Sequence, residues 1–315
     1  MNREGLVEAS RLAIKQGSKS FSAASRLFDR TTRERVWMLY AWCRRCDDLT
    51  DAQDMGGELG DQSDIGAKVE HLRKLTAQAL AGEETGDVAF DAFGQVASEV
   101  GLTMEDADAV IAGFQLDAED WRPRTEADLM RYCWHVAGAV GVMMALVMGV
   151  NRADDDTLDR ACDLGLAFQL ANIARDVVED DAAGRCYLPV EWLVEEDIEP
   201  GQHTKPHHRQ ELADMAARLA GRMELHAASS RIGAARLPFR CRWAILSAAR
   251  IYTAIGREVL AKGPAAWDHR VYTSKMQKIG HAAMAFIEAV VNRPAKLDDE
   301  PRWRRSDLAE NAASA

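Results

Sequence analysis

Asp47-Asp48-Leu49-Thr50-Asp51 and Asp176-Val177-Val178-Glu179-Asp180 each set carboxylates four residues apart inside stretches that otherwise read as buried helix. A helix turns about 100° per residue, so each pair stands on one face with about 6 Å of axial rise, a two-pronged oxygen clamp. Two clamps of the same sign repel unless something positive sits between them. Hard divalent cations bind through one or two carboxylates plus substrate phosphates, so the residue types point to Mg2+ and a diphosphate.

Each clamp has polar companions. Tyr40, Arg44, Asp47 and Asp51 follow one helical stripe, and the neighbouring Val36-Trp37-Met38-Leu39 is too apolar for a salt-bridge ladder on a solvated face. Gln169, Asn172, Asp176 and Asp180 fall within roughly 80° of one another on a helical wheel, while Leu164, Leu166, Phe168, Leu170 and Ile173 mark that helix as buried. Burying such groups uncompensated costs several kcal/mol each, so metal, phosphate or an internal network must satisfy them. Arg175 lies off this stripe and either pairs structurally or reaches round to a phosphate. Ser18-Lys19-Ser20-Phe21, preceded by Gly17, offers hydroxyls, backbone N–H groups and an ammonium at a helix start, an anion-receiving arrangement.

The elements that must carry these groups are all helical. Apolar residues recur at three- and four-residue intervals over 4–15, 32–51, 67–81, 87–100, 103–120, 128–150, 155–181, 210–230, 238–262 and 273–292, with glycine- or proline-bearing breaks between them. One domain over 1–293 and a loose, charged tail over 294–315 are expected. The apolar run Val136 to Val150 is interrupted by Gly138, Gly141 and Gly149 and falls short of the about 18–20 residues of a membrane span, so it reads as a core helix.

Composition narrows the function. Lys and Arg number 39 against 50 Asp and Glu, a formal charge of −11 that is the wrong sign for coating nucleic acid. Six scattered cysteines and an opening without a signal-like segment suggest reduced thiols and a cytoplasmic setting. Cys43-Arg-Arg-Cys46 has redox spacing but no βαβ context. His203, His207 and His208 sit among Pro, Lys and Arg and read as solvated loop, His135 as a core or rim residue, and Met143, Met144 and Met148 as packing.

Taken in order, Ser18 to Phe21, Tyr40-Ala41-Trp42-Cys43-Arg44, Asp47 to Asp51, the segment Tyr132 to Gly141, and Gln169-Leu170-Ala171-Asn172-Ile173-Ala174-Arg175-Asp176 resemble the squalene/phytoene synthase family, most closely its bacterial, phytoene-forming branch. The resemblance spans about Gly17 to Asn292. It implies a single-domain all-α isoprenoid-synthase fold with a central cavity across which two aspartate-rich helices face each other. It further implies Asp47, Asp51, Asp176 and Asp180 as catalytic Mg2+ ligands, helped by Asn172 and Gln169, with Mn2+ as a substitute ion. Tyr40, Arg44, Ser18, Lys19, Ser20, Arg175 and Tyr252 would hold or steer diphosphate, and Phe21 and Tyr132 would line the cavity and steady carbocations. Arg270 and Lys278 lie in a segment that matches only in outline.

The implied reaction joins two geranylgeranyl diphosphates through a cyclopropyl diphosphate to phytoene, releasing two diphosphates, at the entry to carotenoid biosynthesis, with no nicotinamide cofactor. The alternatives are a squalene or dehydrosqualene synthase acting on farnesyl diphosphate, or a class I terpene cyclase. Peripheral docking on a membrane, or contact with neighbouring carotenoid-pathway enzymes, is compatible with so oily a substrate and product.

Overall fold

Period-3.6 patterning builds helices along the whole chain, and among the described residues no strand occurs. The computed structural model describes residues 1–50, 65–118, 121–293, 297, 301 and 303–313. The chain forms two compact units, one of residues 1–121 and 142–154, the other of residues 122–141 and 155–315.

The first unit holds α1 (Arg3–Gly17), α2 (Lys19–Ala24), α3 (Arg30–Thr50), α4 (Ile65–Leu80), α5 (Val88–Val100) and α6 (Met104–Ala118). α3 is its axis, packed on α1, α4, α5 and α6. Val36, Met38, Leu39, Trp42 and Cys46 on α3 are buried, and Trp42 stacks on Phe93 of α5 at 4.3 Å. Burying so large a ring removes over a hundred square ångströms of apolar surface from water, on the order of 3 kcal/mol. A half-buried ion-pair cluster ties the unit together: Glu99 receives Arg3 at 2.7 Å and Arg35 at 2.8 Å, and Glu34 receives Arg3 at 2.6 Å.

α7 (Glu126–Cys133), a π-turn over Trp134–Gly138 and α8 (Ala139–Val147) run on continuously. A capping box between Thr125 and Asp128 starts α7. This 22-residue stretch is long and apolar enough to cross a membrane, yet 67% of its apolar 18-residue window is buried within the protein, as a core helix would be. The second unit continues through α9 (Asp155–Ala182), α10 (Val190–Glu195), α11 (Arg209–Ala234), α12 (Phe239–Lys262), α13 (Lys275–Val291) and α14 (Arg305–Ala313). α9 packs on α11, α12 and the π-turn.

The approach of α9 to the π-turn is set by glycine. A Cβ on Gly165 would lie 2.2 Å from the carbonyl oxygen of Ala137 and 2.8 Å from Cα of Gly138, and one on Gly141 would lie 2.4 Å from the carbonyl oxygen of Ala161. Main chain therefore touches main chain at this crossing. Further along the interface with α11, buried Asp163 accepts a hydrogen bond from Ser229 and pairs with Nδ1 of His226 at 2.8 Å.

Two expectations need correction. His203, expected on a solvated loop, is 1% exposed. It sits in a narrow cleft beside Asp180, Cys186 and Leu188, with Nε2 3.8 Å from Asp181 and, among the described residues, no hydrogen-bond partner on either ring nitrogen. The loop folds back because Thr204 donates to Asp181 at 2.5 Å, which carries the imidazole under cover. His207 is exposed, as expected, and His208 is half-buried. The tail also differs: α14 buries Leu308, and Arg305 pairs with Asp159 and Asp155 at 2.7 Å each, so local charge marks a docked helix there and not a loose segment.

Candidate active site

The first clamp rises from the C-terminal end of α3. Arg44, one turn earlier, bonds Asp47 at 2.8 Å and Asp48 at 2.6 Å, so one guanidinium bridges two adjacent carboxylates. Asp48 is buried and Asp47 partly exposed, which leaves Asp47 the more accessible oxygen donor. Asp51 lies outside the described residues. Tyr40 occupies the same stripe, half-buried, its ring edge-on to Phe21 of α2 at 5.6 Å. Burial raises the Tyr40 hydroxyl above its usual range, keeping it a neutral donor.

Ser18 caps α2, its hydroxyl accepting from the Phe21 N–H at 3.2 Å. This confirms the helix start expected there, though α2 is only six residues long. The side chains of Lys19 and Ser20 lie outside the described set. The Cys43 thiol is pushed up to about 12 by burial, and none of the six cysteines is in a disulfide, so the Cys43/Cys46 spacing is a packing feature.

The second clamp rises from α9, whose Leu170, Ala171, Ile173, Ala174 and Val177 are buried while Gln169, Asn172, Asp176 and Asp180 stay half-buried. The period-3.6 stripe is thus real: the apolar side faces the core and the oxygens keep partial access. Arg175 lies against Asp176 through two hydrogen bonds, one of 2.7 Å, and Arg270 from the α12–α13 connection adds bonds of 3.1 and 2.9 Å. Arg175 therefore makes the carboxylate pair that helical spacing left undecided. Arg270 also comes within 3.9 Å of Glu179, and its distance of 94 residues from Asp176 hid it from any local pattern.

Aromatic faces flank this clamp. Tyr252 of α12 stacks on Phe168 at 4.1 Å, and Tyr132 of α7 on Tyr187 at 4.7 Å. Burial raises the Tyr252 hydroxyl, with the Arg175 charge working against it. Trp267 donates to the carbonyl of Ala174 at 3.1 Å and pins α9 near the clamp. Tyr187 and Trp267 are additions that sequence spacing could not reveal, and Arg270, reached by the resemblance only in outline, is placed on Asp176.

The donor set at both clamps is carboxylate and amide oxygen, with no thiolate or imidazole on either stripe, which suits a hard cation such as Mg2+. Among the described residues no group of three or more His, Cys, Asp or Glu converges as a ready-made cage. A cation held by one or two carboxylates per clamp would therefore complete its shell with phosphate and water.

A profile of the squalene/phytoene synthase family matches residues 14–277, a span that runs through both clamps. A phytoene synthase of Pseudescherichia vulneris is 44% identical over 310 residues, covering 96% of this chain and 100% of that protein. The chain belongs to the squalene/phytoene synthase family. A 15-cis-phytoene synthase of Pantoea ananas, another member, is 42% identical over 311 residues, again 96% of this chain and 100% of that protein. Among solved structures, a dehydrosqualene synthase in complex with ligand superposes with a TM-score of 0.81 at 26% identity, covering 92% of this chain and 98% of that one. A squalene synthase from Alicyclobacillus acidocaldarius shares the fold at 24% identity, TM-score 0.74, covering 83% of this chain and 95% of that one. The family's all-α isoprenoid-synthase fold is the fold of this chain, and its members' prenyl-transfer chemistry makes it an enzyme of isoprenoid biosynthesis.

Proposed function

We propose that this protein condenses two geranylgeranyl diphosphates head to head, through a cyclopropyl diphosphate, to phytoene with release of two diphosphates, opening carotenoid biosynthesis. The observation that carries the reading is identity above 40% to phytoene synthases along nearly the whole chain.

Asp47, Asp51, Asn172, Asp176 and Asp180 would hold Mg2+, which when bound neutralises charge on the departing diphosphate. The arginines do the complementary work. Arg44 and Arg175 now rest on the carboxylates; once those carboxylates take a cation, their guanidiniums are free to receive phosphate oxygens bidentately. Arg270, itself half-exposed on Asp176, can do the same. Tyr40 and Tyr252, held neutral by burial, donate to diphosphate without adding negative charge. Phe168 and Tyr132 of the second unit, and Phe21 of the first, would each offer an aromatic ring to an allylic cation and help exclude the water that would quench it. The second half-reaction ends in proton loss, so the reading draws on no nicotinamide.

Six cysteines held as thiols, none in a disulfide, support a reducing, cytoplasmic setting. The test is product analysis: purified protein is given geranylgeranyl or farnesyl diphosphate with Mg2+, with and without reduced nicotinamide. Linear C40 phytoene without nicotinamide supports the reading. Squalene or dehydrosqualene from farnesyl diphosphate as the preferred product, or a cyclic C20 product, overturns it.

A further inference from the structure

His203, on the loop between α10 and α11, is a polar ring kept where the surrounding packing makes no use of its polarity. It is buried, and among the described residues neither ring nitrogen has a hydrogen-bond partner. The cleft around it is too narrow to admit a water molecule, so solvent does not supply the missing bonds. Sealing a donor and an acceptor away in this manner costs free energy that a phenyl ring of similar bulk would not cost. Burial holds the imidazole below the usual histidine pKa, the Asp181 charge opposing this and Arg122 adding to it, so the ring is neutral and carries one N–H.

The walls of the cleft belong to the second clamp. Ile173, Val177 and Asp180 come from α9, and Cys186, Tyr187 and Leu188 from the segment that follows it. That segment hangs from the carbonyl of Asp180, which accepts from the N–H groups of Ala183 at 3.0 Å and Arg185 at 2.8 Å, with Gly184 at the positive φ of 78° that such a helix end calls for. It leads to Tyr187, whose ring stacks on Tyr132.

The His203 loop grips the residue next to Asp180. One carboxylate oxygen of Asp181 accepts from Thr204 at 2.5 Å, and the other stands 3.8 Å from Nε2 of His203. A hydrogen bond between such atoms is about 2.9 Å long, so a movement of about 1 Å in the last turn of α9 would close the gap. A phenyl ring could fill the cleft but could never make that bond.

We propose that His203 is a positioning residue for diphosphate binding: when Asp180 takes a cation and diphosphate, Nε2–H of His203 donates to Asp181 and fixes the end of α9 and the Tyr187 segment against the ligand. The inference rests on the reading of Asp180 as a cation ligand and adds to it a residue from a separate loop.

The test is isothermal titration calorimetry of the full-length protein with inorganic diphosphate and Mg2+, beside nitrogen NMR of the same protein with labelled histidine. His203→Phe keeps a flat ring and loses both nitrogens. It is expected to melt no lower than the parent without ligand and to bind diphosphate about tenfold more weakly, or worse. His203→Gln, whose amide nitrogen can stand near the position of Nε2, should bind within about threefold of the parent. Lys205→Ala, exposed on the same loop, should bind like the parent. In the parent, the ring resonance that vanishes in His203→Gln should move when Mg2+ and diphosphate are added, a readout that does not require the phenylalanine variant to fold. The inference is overturned if His203→Phe binds as tightly as the parent or melts below it, if His203→Gln binds as weakly as His203→Phe, or if that resonance stays in place. If the parent itself binds no diphosphate with Mg2+, the reading of the clamp falls and this inference with it, an outcome distinct from the others.

Discussion

Gly165→Ala tests how the second clamp is held in place. The added methyl would lie 2.2 Å from the carbonyl oxygen of Ala137, 2.6 Å from its carbon and 2.8 Å from Cα of Gly138. Every obstacle is backbone, so no rotamer change relieves it. Restoring ordinary contact near 3.4 Å requires α9 and the π-turn to part by about 1 Å. Overpacking of this kind costs about 1–3 kcal/mol, and a backbone obstacle belongs at the upper end. Alanine returns about 0.5–1 kcal/mol through helix propensity, leaving a net loss of about 2 kcal/mol, or about 30-fold in the folding constant. Gly221→Ala on α11, where a Cβ meets nothing within 4 Å, is the control and should gain about 0.5–1 kcal/mol. Urea unfolding followed by far-UV circular dichroism reads both. Because Gly165 precedes Gln169 by one turn, a displacement of about 1 Å should also lower turnover by about a hundredfold. If Gly165→Ala proves as stable as the parent while the control behaves as expected, the backbone contact does not exist and the reasoning fails.

Other perturbations separate structure from chemistry. Asp176→Asn should lower turnover by about a thousandfold, yet reduce stability by only about 1 kcal/mol because Arg270 is more than half exposed; near-parental turnover would refute the ligand role. Chelation with EDTA should abolish turnover and excess Mg2+ restore it, while activity that survives exhaustive chelation would remove the metal from the mechanism. Asp163→Ala strips buried His226 and Ser229 of their acceptor and should cost about 2–5 kcal/mol in urea unfolding, with an unchanged midpoint showing the network to be idle. Burial alone would raise the Glu99 carboxyl, but hydrogen bonds from Arg3 and Arg35 bring it down to about 2 from 4.5. The resulting stabilisation, about 3 kcal/mol at most, is complete above pH 4.5 and lost as pH falls through about 2; Glu99→Gln should flatten that part of an acid titration of stability.

Both stripes were legible because helical period is a local property: the residues that make α3 and α9 amphipathic are neighbours in sequence. What closes around them was not. Arg270 reaches Asp176 across 94 residues, and the Tyr132–Tyr187 stack joins a helix to a distant loop, so no spacing rule connects either pair. His203 was misread for the converse reason. Its lysine and proline neighbours carry the signature of solvent, while the Thr204–Asp181 bond that buries it depends on where α9 ends. At α14 the abundance of charge looked like disorder, although Arg305 spends its charge on two aspartates of α9. The six-residue α10 was too short to produce a period.

The glycine crossing has a consequence for how substrate size can change. Since α9 is registered against the π-turn through peptide groups, the coordinates of its acids are indexed to the scaffold and owe little to the bulk of nearby apolar residues. On the proposed reading, walls that receive the prenyl chains can therefore drift wider or narrower over generations, admitting longer or shorter tails, while the carboxylates proposed to handle diphosphate keep their station.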